Sequence, residues 1–204
     1  MKPTIKVCGQ TDPEIIKLCI EQGASLVGFI INYPKSPRSI STKKLKSLIE
    51  NIPDNIKKVA VMVDPTKEEV KEISNYCNAI QLHGNENNDF IDEIKKITNL
   101  EVIKAIKVNN KEDLKITKQF PSANIFLYDT PSMGQSGKVF DFEMLKDLKN
   151  RNFFIAGKID INNIETALKY TDKIDVNSGL ETKKGIKDPE KIKQFFNKLK
   201  NNEN

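Results

Sequence analysis

Short, nearly continuous apolar runs alternate with longer segments whose apolar positions recur every three or four residues, and the alternation holds from one end of the chain to the other. The short runs predict strands of a parallel sheet covered by helices, and the longer segments predict amphipathic helices. Strands are expected at Thr4–Val7, Leu26–Ile31, Lys58–Val63, Ala79–Leu82, Glu101–Ile106, Asn124–Tyr128, Phe153–Ala156 and Lys173–Val176. The intervening helices are expected at Pro13–Gln22, Thr42–Asn51, Lys67–Tyr76, Asp89–Ile97, Lys111–Gln119, Phe142–Lys149, Ile161–Lys169 and Asp188–Lys200. Asp12 is placed to cap the first helix, with Pro13 in its first turn, and Asp64-Pro65-Thr66 is placed to cap the third.

Eight strand–helix pairs are more than a doubly wound open sheet usually holds, and they predict a (βα)8 TIM barrel. The barrel is expected to occupy residues 1–200 as a single domain with short loops, followed by a disordered tail at 201–204. Weak internal similarity agrees with a repeated unit: Val7–Asp12 and Ile155–Asp160 share Gly and Asp at matching offsets.

Composition narrows the function. The net charge of +5 invites a nucleic-acid reading, but the lysines are interleaved with acids, as in Lys67–Glu72, which describes a solvated helix face. Nucleic acid is therefore not expected as a partner. No apolar run is long enough to cross a membrane, and the first strand begins almost at Met1, so no membrane association or leader is expected. Cys8, Cys19 and Cys77 form neither a disulfide framework nor a metal-ligand spacing, which suits a reducing, cytoplasmic location. A single histidine, His83, excludes sites that need several imidazoles.

In this fold the chemistry gathers at the C-terminal ends of the strands. Those ends carry Cys8-Gly9, Asn32 with the loop Tyr33–Arg38, Asp64, His83-Gly84, Lys107, Asp129-Thr130, Gly157-Lys158 and Asn177-Ser178-Gly179. A Cys there can be a small buried hydrophobe, and an Asp there can be a turn or capping residue. Together they offer a proton acceptor beside a proton donor, provided that positive charge favours the thiolate and burial keeps the carboxyl protonated. Gly157, Lys158, Ser178 and Gly179 suggest a phosphate cradle between the last two strands. Arg38, stiffened by Pro34 and Pro37, suits a bidentate grip on a carboxylate, or is a surface cation. His83 reads as a structural hydrogen-bonding residue. Gly134–Lys138 lacks P-loop spacing and reads as a mobile loop that closes over a ligand.

With these residues in view, the whole chain resembles the phosphoribosylanthranilate isomerase family of tryptophan biosynthesis. The resemblance rests on Lys6-Val7-Cys8-Gly9, Pro34-Lys35-Ser36-Pro37-Arg38, Gln81-Leu82-His83-Gly84, Asp129-Thr130, Gly134–Lys138 and Asp175–Glu181. It implies an Amadori rearrangement of a small phosphorylated substrate, N-(5-phosphoribosyl)anthranilate, without metal or cofactor. It also implies roles: Cys8 as general base, Asp129 as general acid, Arg38 on the anthranilate carboxylate, and Gly157, Lys158, Ser178 and Gly179 on the phosphate. The chain departs from the family's pattern where Lys158 replaces a glycine. A backbone with φ above zero there would be strained by a lysine, whose ammonium could compensate at a phosphate. The rival reading is a phosphosugar-binding barrel without turnover. Monomer and homodimer both remain open.

Overall fold

The computed structural model describes residues 2–131 and 139–201. Within them, eight parallel strands close into a barrel. They are β1 (Thr4–Val7), β2 (Leu26–Ile31), β3 (Lys57–Met62), β4 (Ala79–Leu82), β5 (Glu101–Lys107), β6 (Ile125–Asp129), β7 (Phe153–Ile155) and β8 (Lys173–Val176). Closure comes from β1, which pairs β8 in the register Val7↔Val176 and β2 in the register Lys6↔Leu26. Strand bounds agree with the sequence pattern to within two residues, the usual ambiguity at element ends.

Alternation along the strands divides the core. Leu26, Val59, Ala79, Ile103, Ala105, Ile125, Leu127, Phe154 and Ala156 fill the barrel interior. The opposite faces pack under the helices: Val27, Phe29, Ala60, Met62, Ile80, Leu82 and Val102 in the first half, and Ile5, Val7, Tyr128, Ile155, Ile174 and Val176 where the chain ends meet.

Local chemistry sets the helix starts. Helix α1 (Pro13–Gln22) is capped by Asp12, whose carboxylate accepts from Glu14 N (2.8 Å) and Ile15 N (3.3 Å). Helix α2 (Thr42–Ile49) starts on Ser41, and α3 (Lys67–Ile73) starts on a reciprocal Thr66–Glu69 capping box. Asn87 caps α4 (Asn88–Ile97).

The second half departs from the expected helices. Lys111–Gln119 is a 3-10 helix, in which the Thr117 hydroxyl bonds the Leu114 carbonyl three residues back (2.9 Å) and Phe120 N bonds Thr117 O. The β-branched Ile116 and Thr117 and this back-bonding favour the tighter turn over an α-helix. The segment Phe142–Lys149 holds only a 3-10 turn at Phe142–Leu145, which buries Phe142 and Leu145. Ile161–Lys169 shrinks to α5 (Ile164–Ala167): Asp160 and Asn163 use their side chains on the backbone of the preceding turn, which delays the helix. Helix α6 (Pro189–Asn201) includes Asn201, which the sequence pattern assigned to the tail.

Two further pairings were not anticipated. Ser39–Ile40 adds a short parallel strand to β2, and Glu181–Lys183 pairs antiparallel with Ile186–Lys187 in a hairpin beyond β8. The segment Gly134–Lys138, expected to close over a ligand, lies outside the described residues. No helix among the described residues is long and apolar enough to cross a membrane.

Candidate active site

A cavity of about 570 Å³ opens at the C-terminal ends of the strands, lined by Cys8, Arg38, Asp129, Gly157, Lys158 and Ser178 among others. Of the seven residues singled out in the sequence, these six share one space. Gly179 stands behind the lining, where an added Cβ would meet the Ile159 carbonyl oxygen at 1.9 Å. It therefore permits the close approach of two loops.

Asp129, the last residue of β6, is buried. Its Oδ1 accepts from Thr130 N (2.7 Å) and lies 3.4 Å from the Thr130 hydroxyl. Burial, helped by the negative charge of Asp175, pushes its pKa up to about 7 against the pull of Thr130 and Lys6. A carboxyl in that range carries a proton at neutral pH and can give it up, which is what a general acid requires.

His83 comes up beside it, with Nε2 3.5 Å from Asp129 Oδ2. Gln81 Nε2 stands 3.4 Å from His83 Nδ1, on the side of the ring away from Asp129. At 3.5 Å the contact with Asp129 is not a hydrogen bond, and among the described residues Nε2 has no other partner. Burial, with Lys107, Lys6 and Lys104 nearby, drives the imidazole pKa down to about 3, so it stays neutral. The sequence revealed no neighbour for His83; the fold brings its ring up against Asp129.

Cys8 follows β1 and is buried, with its backbone N–H bonded to Val176 O (2.9 Å). Burial pushes its thiol up, and Lys6 pulls it back down. Lys6 itself is fully buried inside the barrel, its Nζ 3.0 Å from both carboxylate oxygens of Asp175 on β8. Burial opposes both charges, but the symmetric grip identifies the pair as ammonium and carboxylate, and Asp175 holds the Lys6 ammonium above its ordinary range.

Arg38 is held by its own chain. Glu181 accepts from Nε (2.6 Å) and Nη2 (2.5 Å), so the bidentate edge expected to grip a carboxylate already does so, and Nη1 takes no part in that pair. Glu181 also accepts from Lys187 Nζ (3.2 Å) and Gly185 N (3.2 Å). Burial alone would raise the Glu181 carboxyl, but the Arg38 bonds and Lys187 hold it below the usual range.

At the far side, Gly157 and Lys158 have φ of 94° and 55°. Lys158 thus sits in the left-handed region that disfavours a side chain, as the sequence led us to expect. The carbonyls of this turn are engaged from outside the cavity, by Phe140 N (3.4 Å) and Asn163 Nδ2 (2.9 Å).

Sequence reading missed Lys6, Asp175, Glu181 and Lys187 as parts of the site. The available signal was a charged residue at an inward position of an apolar strand, as Lys6 and Asp175 are.

Comparison with known proteins agrees with this geometry. The family model for N-(5'phosphoribosyl)anthranilate (PRA) isomerase matches residues 5–198. The N-(5'-phosphoribosyl)anthranilate isomerase of Rhizobium rhizogenes is 37% identical over 96% of this chain and 93% of its own length. That of Thermoanaerobacter pseudethanolicus is also 37% identical, over 96% of this chain and 97% of its own. Among solved structures, a phosphoribosyl anthranilate isomerase in complex with reduced 1-(o-carboxyphenylamino)-1-deoxyribulose 5-phosphate superposes with a TM-score of 0.86 at 29% identity, covering 98% of this chain and 100% of that one. Monomers made from the dimeric enzyme of Thermotoga maritima superpose with the same TM-score, identity and coverage.

Proposed function

The chain belongs to the N-(5'-phosphoribosyl)anthranilate isomerase family and is an isomerase of tryptophan biosynthesis, and we propose that Cys8 and Asp129 are the base and acid of its reaction. The reaction is the Amadori rearrangement of N-(5-phosphoribosyl)anthranilate to 1-(2-carboxyphenylamino)-1-deoxyribulose 5-phosphate. The observation that carries the assignment is the pairing, on one cavity, of a carboxyl whose pKa is raised to about 7 and a thiol with an ammonium at its back.

Protonated Asp129 gives its proton to the ring oxygen as the C1–O bond breaks, and the anthranilate nitrogen closes a C1=N bond. The Cys8 thiolate then takes the proton from C2, and the released electron pair forms C1=C2 as the C=N pair returns to nitrogen. Tautomerisation of this enolamine carries the proton held by Cys8 to C1 and the C2 hydroxyl proton back to Asp129, which leaves the ketone at C2 and both groups in their starting states. Atoms and electrons balance within the substrate. Arg38, through the Nη1 edge that Glu181 leaves, holds the anthranilate carboxylate; the turns at Gly157-Lys158 and Ser178-Gly179 hold the phosphate. One copy of the chain carries every residue in this scheme, so a monomer suffices for turnover. The three free, buried cysteines support a cytoplasmic setting.

The test follows loss of substrate fluorescence on incubation with purified protein. Wild type is expected to turn over, and Cys8→Ala to lose about 10³-fold or more in kcat while still binding the reduced product analogue, as removal of a general base predicts. Wild-type turnover by Cys8→Ala overturns the role of the thiol; binding without turnover by the wild type overturns the catalytic reading as a whole.

A further inference from the structure

Beneath Cys8, inside the barrel, lies a lysine that no step of the reaction uses. Lys6 is on β1 two residues before Cys8, so both side chains point inward. The space for this is made by Gly28 on β2, where an added Cβ would stand 3.0 Å from both the Cys8 Sγ and the Lys6 Nζ. A side chain at Gly28 would press on both the ammonium and the sulfur, each of which would have to give by a few tenths of an ångström. The ammonium bonds both oxygens of Asp175 and borders the same small space as the thiol, close enough for its charge to pull the thiol down.

The charges that face Cys8 come from four places. Lys6 comes from its own strand, Asp175 from β8, Lys187 from the hairpin after β8, and Arg38 from the loop after β2. Glu181 is the shared counterion of Arg38 and Lys187, and Asp175 is that of Lys6. Three cations thus meet two carboxylates. Asp129 and His83, the other buried titratable groups on the cavity lining, are neutral when Asp129 holds its proton. A buried cluster with one positive charge left over is costly, and an anion among its members removes that cost.

We propose that Lys6 is a positioning residue that supplies the countercharge for the Cys8 thiolate, with Asp175 dividing the ammonium between itself and the sulfur. Lys6 touches no atom of the substrate in this scheme and acts only through the sulfur. Its partition between Asp175 and Cys8 fixes how readily the sulfur gives up its proton. The inference rests on the reading of Cys8 as the base, but the coupling between the three groups is measurable without turnover.

The experiment titrates thiolate absorbance near 240 nm, each protein being read against the same protein carrying Cys8→Ala, which isolates Cys8 from Cys19 and Cys77. Asp175→Asn removes the competitor for the ammonium while leaving Lys6 in place. Its Cys8 midpoint is expected to fall by about one pH unit or more, the size of effect that a nearby charge exerts. Lys6→Met alone would strand a buried carboxylate, so the lysine is removed in the pair Lys6→Met/Asp175→Asn. That midpoint is expected to rise by about one unit or more above wild type, because burial remains and the cation is gone. The double variant should bind the reduced product analogue normally while its kcat falls, a split that simple loss of packing would not produce. A midpoint that stays or rises in Asp175→Asn overturns the proposal, as do equal midpoints in the single and double variants. If instead Cys8→Ala turns over normally while these midpoints move as expected, the charge coupling stands and the catalytic reading of Cys8 falls.

Discussion

Lys6 and Lys104 are both buried lysines on barrel strands, each against a carboxylate, yet only the partner of Lys6, Asp175, lines the cavity. Lys104 is on the outer face of β5, between the inward Ile103 and Ala105. Its Nζ donates to Glu86 Oε2 (2.7 Å) and to Gly84 O (3.0 Å), and stands 5.2 Å from the centre of the Phe120 ring. Glu86 in turn accepts from Asp64 N (2.8 Å) and Gly84 N (3.1 Å), and the Asp64 carboxylate accepts from Asn85 N (2.6 Å). This network ties the loops after β3 and β4 together, and each of its members finds its partner inside it. The Lys6–Asp175 pair has a third contact that can change charge, the Cys8 thiol. A buried ion pair whose bonds all close on themselves is scaffold. One that shares its cation with a titrating group at a cavity floor tunes chemistry.

The largest expected effect lies on the cavity side of this contrast. Asp129→Asn keeps the shape and an acceptor for Thr130 N but cannot give up a proton, so kcat should fall by about 10²–10⁴-fold. The same change should stabilise the protein at alkaline pH. The folded pKa of Asp129, about 7, lies above its ordinary value of 3.8, so the folded state binds the proton more tightly than the unfolded one. The stability this contributes is fully present below about pH 4 and is lost as pH rises through 7. Asparagine escapes that loss, and at pH 8 urea denaturation should find the variant more stable by on the order of 2–4 kcal/mol, with the difference closing toward pH 4. A variant destabilised at pH 8 would show that the carboxylate is not held under strain. His83 works with the opposite sign, since its folded pKa of about 3 lies below 6.5 and its contribution is lost as pH falls through that interval.

On the scaffold side the expectation reverses. Lys104→Met leaves Glu86 buried without its cation and should cost about 3–5 kcal/mol of stability. Below its own unfolding transition, however, its kcat/KM should stay within about twofold of wild type, since no reacting group loses a neighbour. Stability is read from urea curves and activity from the fluorescence assay on the same preparation. A large fall in kcat/KM with intact folding would break the distinction between the two lysines. Pairing it with Glu86→Gln should recover part of the stability, because the stranded charge is then gone.

The sequence made the local half of this picture legible. The apolar runs located all eight strands, and the Asp12-Pro13 and Asp64-Pro65-Thr66 signals located helix starts, because each depends on residues a few positions apart. Cys8 and Asp129 stood out by their place at strand ends. Pairings across the closed barrel had no local signature. Lys6 and Asp175 lie 169 residues apart, and Arg38 and Glu181 lie 143 apart, so both contacts depend on the register by which β1 meets β8. The same holds for His83 and Asp129, which β4 and β6 bring to one rim. The 3-10 turn at Lys111–Gln119 was misread for a different reason: its charged residues and Leu114 suit an amphipathic helix, and only the Thr117 back-bond in the folded chain decides against it.

The smallest expected effect concerns Lys158, where scaffold and function meet in one residue. Its φ of 55° is strained for any side chain but lies in the range that glycine adopts freely, and the residue lines the cavity. Lys158→Gly relieves the strain but also frees the unfolded chain, which costs up to about 1 kcal/mol, so the net stability change should be a gain of no more than about 1 kcal/mol. Losing a cation beside a phosphate should raise KM for the phosphorylated substrate several-fold and leave kcat nearly unchanged, the mark of binding that is uniform between ground and transition states. Melting temperature and KM should therefore rise together, and the KM difference should shrink as salt is added, because an exposed ammonium acts through a screened field. If KM is unmoved, the lysine is strain without return, and the phosphate is held by the backbone of Gly157, Ser178 and Gly179 alone.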